Sequence, residues 1–266
     1  MKKIGLIAGN RRFPFLSAEA ARMKGYSVVA VAIKGDTSPV LRRHVDRIYW
    51  LKLAEFRKML DVFKAEGINK VVMAGQISPH RLFGKEMRSP DLKKLFSRIE
   101  DWRANTIFRS IADELQEAGL ELLDSTIFLD DYLPAKGVLT RKKPDAGQKE
   151  DIDFGFALAK KVALLDIGLS VGVKNKAIVA VEALEGTDNL IRRAGKIARR
   201  GVIIVKVSRP NQDNRFDIPV IGLGTIQTLI SSRAACMAIE AKKTLFIDMQ
   251  QSLALADRKG IGIVSV

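Results

Sequence analysis

At 266 residues the chain is long enough for one large domain or two of about 130 residues each. Its 47% apolar content fills ordinary cores and excludes wholesale disorder, and no apolar run approaches the roughly 18 residues of a membrane-spanning helix. Forty-five Lys and Arg against 30 Asp and Glu give a net charge of +15, a field that favours polyanions: nucleic acid, an anionic membrane surface or phosphorylated substrates.

The excess is +6 over residues 1–133 and +9 over 134–266, so it is not a detachable basic tail. A single cysteine, Cys236, makes no intrachain disulfide and points to the cytosol. Arg11 and Arg12 cut the first apolar stretch too short for a signal-peptide core. With His44, His80 and Cys236 as the whole His/Cys inventory, a zinc site is barely feasible. A bound metal is expected to be a hard ion, Mg2+ or Mn2+, held by carboxylates and phosphates.

In chain order, 3–8 (KIGLIA) reads as a buried strand, Gly9-Asn10 as the turn after it, and 14–24 as a helix closed by Gly25. The β-branched run 27–33 suits a strand covered on both faces. A helix over 55–66, stopped by Gly67, leads to a strand at 70–74. Strand–helix–strand units with short connections imply parallel pairing. Helices are expected at 91–101 and 105–118 and a strand over 121–129. Around Pro134 the texture turns polar and rich in Lys, Gly and Pro, so 134–149 reads as a linker or mobile loop. A helix over 150–163 follows, then strands at 169–173 and 177–183 joined by Lys174-Asn175-Lys176 as a hairpin. Next come a helix near 188–200, a strand at 201–208, a loop to Pro219 and a helix near 225–233. Strands near 236–240 and 244–247, a helix at 249–258 and a terminal strand complete the chain.

Two strand ends offer places for an anion in the first half. Gly9-Asn10 lies between a strand and a helix start, where free N–H groups and the helix dipole attract phosphate. AGQISPH (74–80) would lie on the same carboxyl edge of a parallel sheet, where open α/β folds bind ligands. The dinucleotide fingerprint G-x-G-x-x-G is absent. His80, in a loop after Pro79, reads as a solvated histidine.

The second half carries more charge at its strand ends. After strand 177–183, Glu182 and Glu185 precede Gly186-Thr187-Asp188 at a helix start, with Thr187 or Asp188 as the expected N-cap. Capping by Thr187 would set Arg192 and Arg193 one turn in, close enough to neutralise a phosphate. In KVSRPNQDNRFDIPVIG, two prolines bracket a loop holding Asp213, Arg215 and Asp217.

These stretches carry a family resemblance. KKIGLIAGNRRFP, Ala74-Gly75, Asp166-Ile167-Gly168, VEALEGTDNLIRR and KVSRPNQDNRFDIPVIGLGTI together resemble the LpxI-type UDP-2,3-diacylglucosamine pyrophosphatases over nearly the whole length. Arg209 stands where that pattern usually has lysine, which keeps the charge. The resemblance implies an α/β protein of two domains: a Rossmann-like parallel sheet over 1–133 and a distinct C-terminal catalytic α/β domain over 134–266. It implies Mg2+-dependent cleavage of UDP-2,3-diacylglucosamine to UMP and 2,3-diacylglucosamine 1-phosphate (lipid X) in lipid A biosynthesis. The place would be the cytoplasmic face of the inner membrane, as a peripheral protein, and a homodimer is favoured.

The R-x-D-x-P motif carries the expected catalytic role onto Asp217, as metal ligand or general base, and does not demand an acid at 213. Glu182, Glu185 and Asp188 are the further metal or water-orienting candidates. Gly9, Asn10, Gln76, Thr187, Arg192 and Arg215 are the candidates for phosphate, uridine and sugar contacts. Two readings of other classes stand beside this one. A nucleic-acid-binding protein suits the charge but lacks a recognisable module. A nicotinamide oxidoreductase suits the N-terminal pattern but lacks the glycine fingerprint.

Overall fold

A computed structural model describes residues 2–78, 81, 84–97 and 99–266. Two compact units result: residues 1–130 together with 213–217, and residues 131–212 together with 218–266.

In the first unit, β1 (Lys2–Ala8), α1 (Phe13–Met23), β2 (Tyr26–Ile33), β3 (Arg47–Leu51), α2 (Phe56–Ala65) and β4 (Lys70–Ala74) come first. They are followed by α3 (Pro90–Leu95), α4 (Ala104–Glu117) and β5 (Glu121–Leu122). All five strands are parallel, in the order β3-β2-β1-β4-β5. The central strands are buried along most of their length, as their unbroken aliphatic runs require. Val29, Val31, Phe63, Val71 and Leu115 form the heart of one core face. Gly5 lets α2 approach, since a Cβ there would lie 2.7 Å from Val71 and 2.8 Å from Phe63.

Two expectations change here, and one strand, β3, was not read from the sequence. β3 has no strong alternation, because as an edge strand it is only half-buried. Its polar members are accommodated by Glu66, which accepts from Arg47 Nη1 at 2.7 Å and Tyr49 Oη at 2.5 Å. The strand expected over 121–129 ends at Leu122, because Asp124 accepts from the Thr126 N–H and hydroxyl and turns the chain. The helix expected over 91–101 ends at Leu95.

The second unit contains β6 (Gly137–Val138), α5 (Ala146–Leu164), β7 (Ser170–Lys174), β8 (Ala177–Val181), α6 (Thr187–Ala198) and β9 (Ile203–Lys206). Then come β10 (Val220–Ile221), α7 (Leu223–Ser231), β11 (Cys236–Ile239), β12 (Leu245–Phe246), α8 (Met249–Lys259) and β13 (Gly262–Ser265). The main sheet runs β6-β13-β11-β9-β7-β8, parallel through β13, β11 and β9 and antiparallel at both margins. β10 and β12 form a separate parallel pair. The sheet is covered on both sides. Leu190, Ile191 and Ala194 of α6, with Ile226, Leu229 and Ala256, line one core. Ile152, Ala159 and Ala163 of α5 meet Val171, Ile203 and Val205 in the other.

The 174–176 hairpin forms as its residues indicate. Asn175 and Lys176 both adopt positive φ, and the buried Asp151 carboxylate accepts both their N–H groups, at 2.9 and 2.6 Å. The stretch expected as a linker, 134–149, contains β6, paired to the terminal strand, and a capping box in which Asp145 and Gln148 start α5. The polar texture there reflects edge pairing and capping.

Candidate functional site

In the first unit the chain leaves β1 toward β2 and β3 on one side and β4 on the other. The carboxyl ends of β1 and β4 are therefore the point where strand order reverses, the usual ligand position of open α/β sheets. The two turns there interlock: Gly9 N donates to Ala74 O, and Asn10 N donates to Gln76 O, both at 2.8 Å. A Cβ on Gly9 would lie 2.5 Å from Gln76 O, and one on Gly75, at φ +88°, would lie 2.5 Å from Asn10 O. Gly9, Asn10 and Gln76 thus come together as expected, with Gln76 contributing backbone here. α1 begins without a side-chain cap; Pro14, its second residue, has no N–H, and Phe15 N donates to Arg12 O at 3.1 Å.

Around this edge lies a network not read from the sequence. Asn10 Nδ2 donates to Ser78 Oγ at 3.4 Å, Ser78 Oγ donates to Asp36 Oδ1, and Arg81 Nη1 donates to Asp36 Oδ2 at 2.8 Å. Asn10 Oδ1 is buried and accepts no hydrogen bond. Asp36 follows β2, where nucleotide-binding folds place an acid for ribose; here Ser78 and Arg81 occupy its carboxylate. His80 lies outside the described residues.

Asp217 belongs to the first unit through the 213–217 segment. The segment is a compact turn in which the Phe216 and Asp217 N–H groups donate to Asp213 O, at 3.4 and 3.2 Å. Ser125 fastens it, its N–H to Asn214 O at 2.9 Å and its hydroxyl to Arg215 O at 2.7 Å. Phe216 stacks on Phe108, ring centroids 5.5 Å apart, and packs on the unit's core. Arg215, expected as a substrate contact, gives Nε and Nη2 to Asp213. This pairing holds the Asp213 carboxyl below its usual range.

In the second unit, Glu182, Thr187 and Lys206 meet where β8 and β9 end and α6 begins. Thr187 Oγ1 donates to Glu182 Oε1 at 2.8 Å and accepts from Lys206 Nζ at 2.8 Å. Lys206 Nζ also lies 3.9 Å from Glu182 Oε2, a buried oxygen that accepts no hydrogen bond. The expected N-cap is corrected: Gly186, at φ +81°, takes that position without a side-chain cap, leaving Thr187 as the first helical residue and Asp188 as the second. Thr187 turns its hydroxyl to Glu182, which removes it from capping.

Glu185 and Arg193 pair with each other, and Glu185 Oε2 also accepts from Ala183 N at 3.1 Å. Burial pulls the Glu185 carboxyl upward, but these hydrogen bonds outweigh it and hold it below the ordinary range. Each of its oxygens thus accepts one hydrogen bond. Arg192 is exposed and donates to Asn189 Oδ1 at 2.8 Å, one turn back on its own helix. Cys236 is buried and its thiol is pushed up to about 12, so it supplies no thiolate at neutral pH.

Lys206 escaped sequence reasoning; its one signal was a lysine inside the apolar run GVIIVKVS. Among the described residues, no group of three or more His, Cys, Asp or Glu side chains is gathered as a metal cage. Glu182 keeps one buried oxygen that accepts no hydrogen bond, a donor of the kind a hard cation such as Mg2+ takes alongside water and phosphate. Among the described residues no helix is long and apolar enough to cross a membrane.

The fold and these clusters define a two-unit α/β protein with a polar cluster at the strand ends of each unit. The chain belongs to the LpxI family: the LpxI N-terminal domain model matches residues 3–132 and the LpxI C-terminal domain model matches residues 135–264. It is 29% identical over 276 aligned positions, covering all of this chain and 98% of the other, to a Caulobacter vibrioides protein called UDP-2,3-diacylglucosamine pyrophosphatase LpxI. Among solved structures it is similar to the CobK precorrin-6A reductase, at 12% identity and a TM-score of 0.39, over all of this chain and 87% of that one. A GalE-like L-threonine dehydrogenase from Cupriavidus necator matches at 12% identity and a TM-score of 0.34, over 99% of this chain and 86% of that one.

Proposed function

We propose that the chain hydrolyses the diphosphate of UDP-2,3-diacylglucosamine, giving UMP and 2,3-diacylglucosamine 1-phosphate, with Mg2+ or Mn2+ as cofactor. The observation that carries this reading is the end-to-end relationship to the Caulobacter pyrophosphatase, together with both LpxI domain models. One water adds across the P–O–P bond: its oxygen joins one phosphorus and its protons pass to the two products.

Asp217 is the group assigned to this water, as its general base or as a ligand of the cation. Its turn is fastened by Ser125 and by the Phe216–Phe108 stack, which supports this reading by holding the backbone that carries the carboxylate. Glu182 and Asp188 are the second unit's own candidates for a cation, which when bound would offset phosphate charge. Arg215 acts through Asp213, holding the turn, and the Gly9–Asn10 turn with Gln76 is the first unit's candidate for a substrate contact, through the buried Asn10 Oδ1 that accepts no hydrogen bond.

The +15 net charge suits an enzyme that draws an anionic, acylated substrate from an anionic surface, peripheral on the cytoplasmic face of the inner membrane. The test is incubation of purified protein with UDP-2,3-diacylglucosamine and Mg2+. Equimolar UMP and 2,3-diacylglucosamine 1-phosphate are expected, and no release of UMP overturns the reading.

A further inference from the structure

A folded surface turns its charges out and its large aliphatic side chains in, and the informative exceptions are clusters that do the reverse. The stretch 164–168, between α5 and β7, is one. Asp166 is its inward member: the backbone is left-handed, at φ +58°, and the carboxylate, 11% exposed, accepts from Arg209 Nη2 at 2.7 Å. The aliphatic residues around it face solvent. Leu164 is 67% exposed, Leu165 66% and Ile167 48%. Leu184, 54% exposed, follows from the end of β8. That end runs beside the same turn: Glu182 N donates to Ser170 O at 2.9 Å, and Gly168 lies so close to the Glu182 carbonyl that a Cβ would overlap it.

Cations border the patch. Lys161 is exposed one turn before Leu164 and Leu165, on the same face of α5. Lys160 and Lys243 share the Glu240 carboxylate, at 3.0 and 2.9 Å, which leaves that corner net positive. Side chains as exposed as Leu164 and Leu165 project from the surface and form no groove, so they have no walls to enclose a free acyl chain. Four side chains also fall far short of the about 20–30 residues a side that a stable dimer takes. Projecting leucines bordered by lysines suit an anionic lipid surface. There aliphatic tips enter the boundary between headgroups and acyl chains, and ammonium groups meet lipid phosphates.

We propose that the 164–168 turn, with Leu184, is the docking surface for an anionic bilayer. Leu164, Leu165 and Ile167 insert, and Lys161 and Lys243 contact phosphates. This rests on the peripheral placement proposed above and adds which face of the second unit makes it. The Asp166–Arg209 pair positions the turn.

The test is sedimentation of the full chain with vesicles of phosphatidylcholine alone or of equal parts phosphatidylcholine and phosphatidylglycerol. Wild type is expected to sediment with the mixed vesicles and to be released as salt rises. Leu164→Gln/Leu165→Gln, at exposed positions, should fold as wild type and weaken that binding roughly tenfold or more. Met23→Gln/Val40→Gln, at exposed apolar positions of the first unit, is the control and should stay within about twofold. Leu165→Trp should add an emission that shifts to the blue on mixed vesicles, and hydrolysis of detergent-dispersed UDP-2,3-diacylglucosamine should be unchanged in the Leu164→Gln/Leu165→Gln protein. No binding of wild type to mixed vesicles, equal losses in both double variants, or an unmoved Leu165→Trp spectrum overturns the proposal. So does a Leu164→Gln/Leu165→Gln protein that binds vesicles as wild type does. Loss of a wild-type dimer in that protein would then assign the patch to a second copy, and a raised KM for dispersed substrate to the substrate's own acyl chains. Vesicle binding that depends on Leu164 and Leu165, in a chain that releases no UMP, would remove the hydrolase reading and leave the docking surface standing.

Discussion

Asp213 clamps Arg215 with both carboxylate oxygens, taking Nε at 2.9 Å and Nη2 at 2.7 Å, while its own carbonyl accepts the N–H groups of Phe216 and Asp217. An acid that the motif does not demand therefore shapes the turn on which the expected catalytic aspartate sits. Asp213→Ala should lower turnover about tenfold through misplacement of Asp217, with little change in stability, because both partners are partly exposed and such pairs contribute about 1 kcal/mol or less. Asp213→Asn, which keeps an acceptor for Arg215, should recover most of the loss. Equal and full activity in both variants would show that the clamp does not position the turn.

Asp217→Ala is expected to be the more severe change. A positioned general base contributes roughly 100- to 10,000-fold, and a lost metal ligand costs comparably. The residue is half-buried in a turn held by Ser125 and Phe216, so removing its carboxylate should shift stability by no more than about 1 kcal/mol. Single-turnover rates and urea midpoints on the same preparation separate the two effects. A folded Asp217→Ala enzyme at wild-type rate would remove Asp217 from the chemistry.

Activity should vanish in EDTA and return with Mg2+ or Mn2+. Glu182 and Asp188 are too few to form a cage, so the apoprotein should lose little thermal stability; binding of the cation should tighten strongly when substrate phosphates are present. Full turnover in chelator would sink the metal-assisted reading.

Gly75→Ala tests the interlocked turns at the edge of the first sheet. The new Cβ would lie 2.5 Å from Asn10 O in a residue held at φ +88°. A left-handed conformation costs an L-residue about 1–2 kcal/mol, and the overlap adds about 1–3 kcal/mol. A loss of about 2 to 4 kcal/mol by denaturant unfolding is expected. A loss under 0.5 kcal/mol would mean that the turns separate freely.

Elements whose partners are close in sequence were legible: the aliphatic runs of β1, β2 and β9, the hairpin at Asn175-Lys176, and the glycine-stopped helices. β3 was hidden because its polar residues are satisfied by Glu66, which lies beyond the next helix. The N-cap at Thr187 was misread because its hydroxyl is drawn to Glu182 and Lys206, and that attraction exists only once β8 and β9 are paired in one sheet with β7. Charged residues could be named from the sequence; which of them neutralise each other could not. Glu185 with Arg193 and Asp213 with Arg215 sit two to eight residues apart, a spacing equally compatible with separate ligand contacts.

Glu240 gives a pH-dependent test of such hidden pairing. It is buried at the end of β11 and accepts from Ser208 N at 2.8 Å, Ser208 Oγ at 2.9 Å, Lys160 Nζ at 3.0 Å and Lys243 Nζ at 2.9 Å. Burial pulls its carboxyl upward, but the hydrogen bonds from Ser208, Lys243 and Lys160 outweigh that and hold it below the ordinary 4.5. A depressed folded value means that the carboxylate stabilises the fold above the unfolded value. That contribution is lost as pH falls through the folded one. Glu240→Gln keeps the volume but leaves Lys160 without its counter-charge, so it should cost about 2 to 4 kcal/mol at pH 7. The difference from wild type should shrink as pH falls below the ordinary 4.5 and through the lower folded value, where the wild-type carboxyl also becomes neutral. Urea midpoints for both proteins between pH 7 and pH 3 measure this directly. A difference that stays constant across that range would show that the network contributes through packing, and that the Glu240 charge is immaterial.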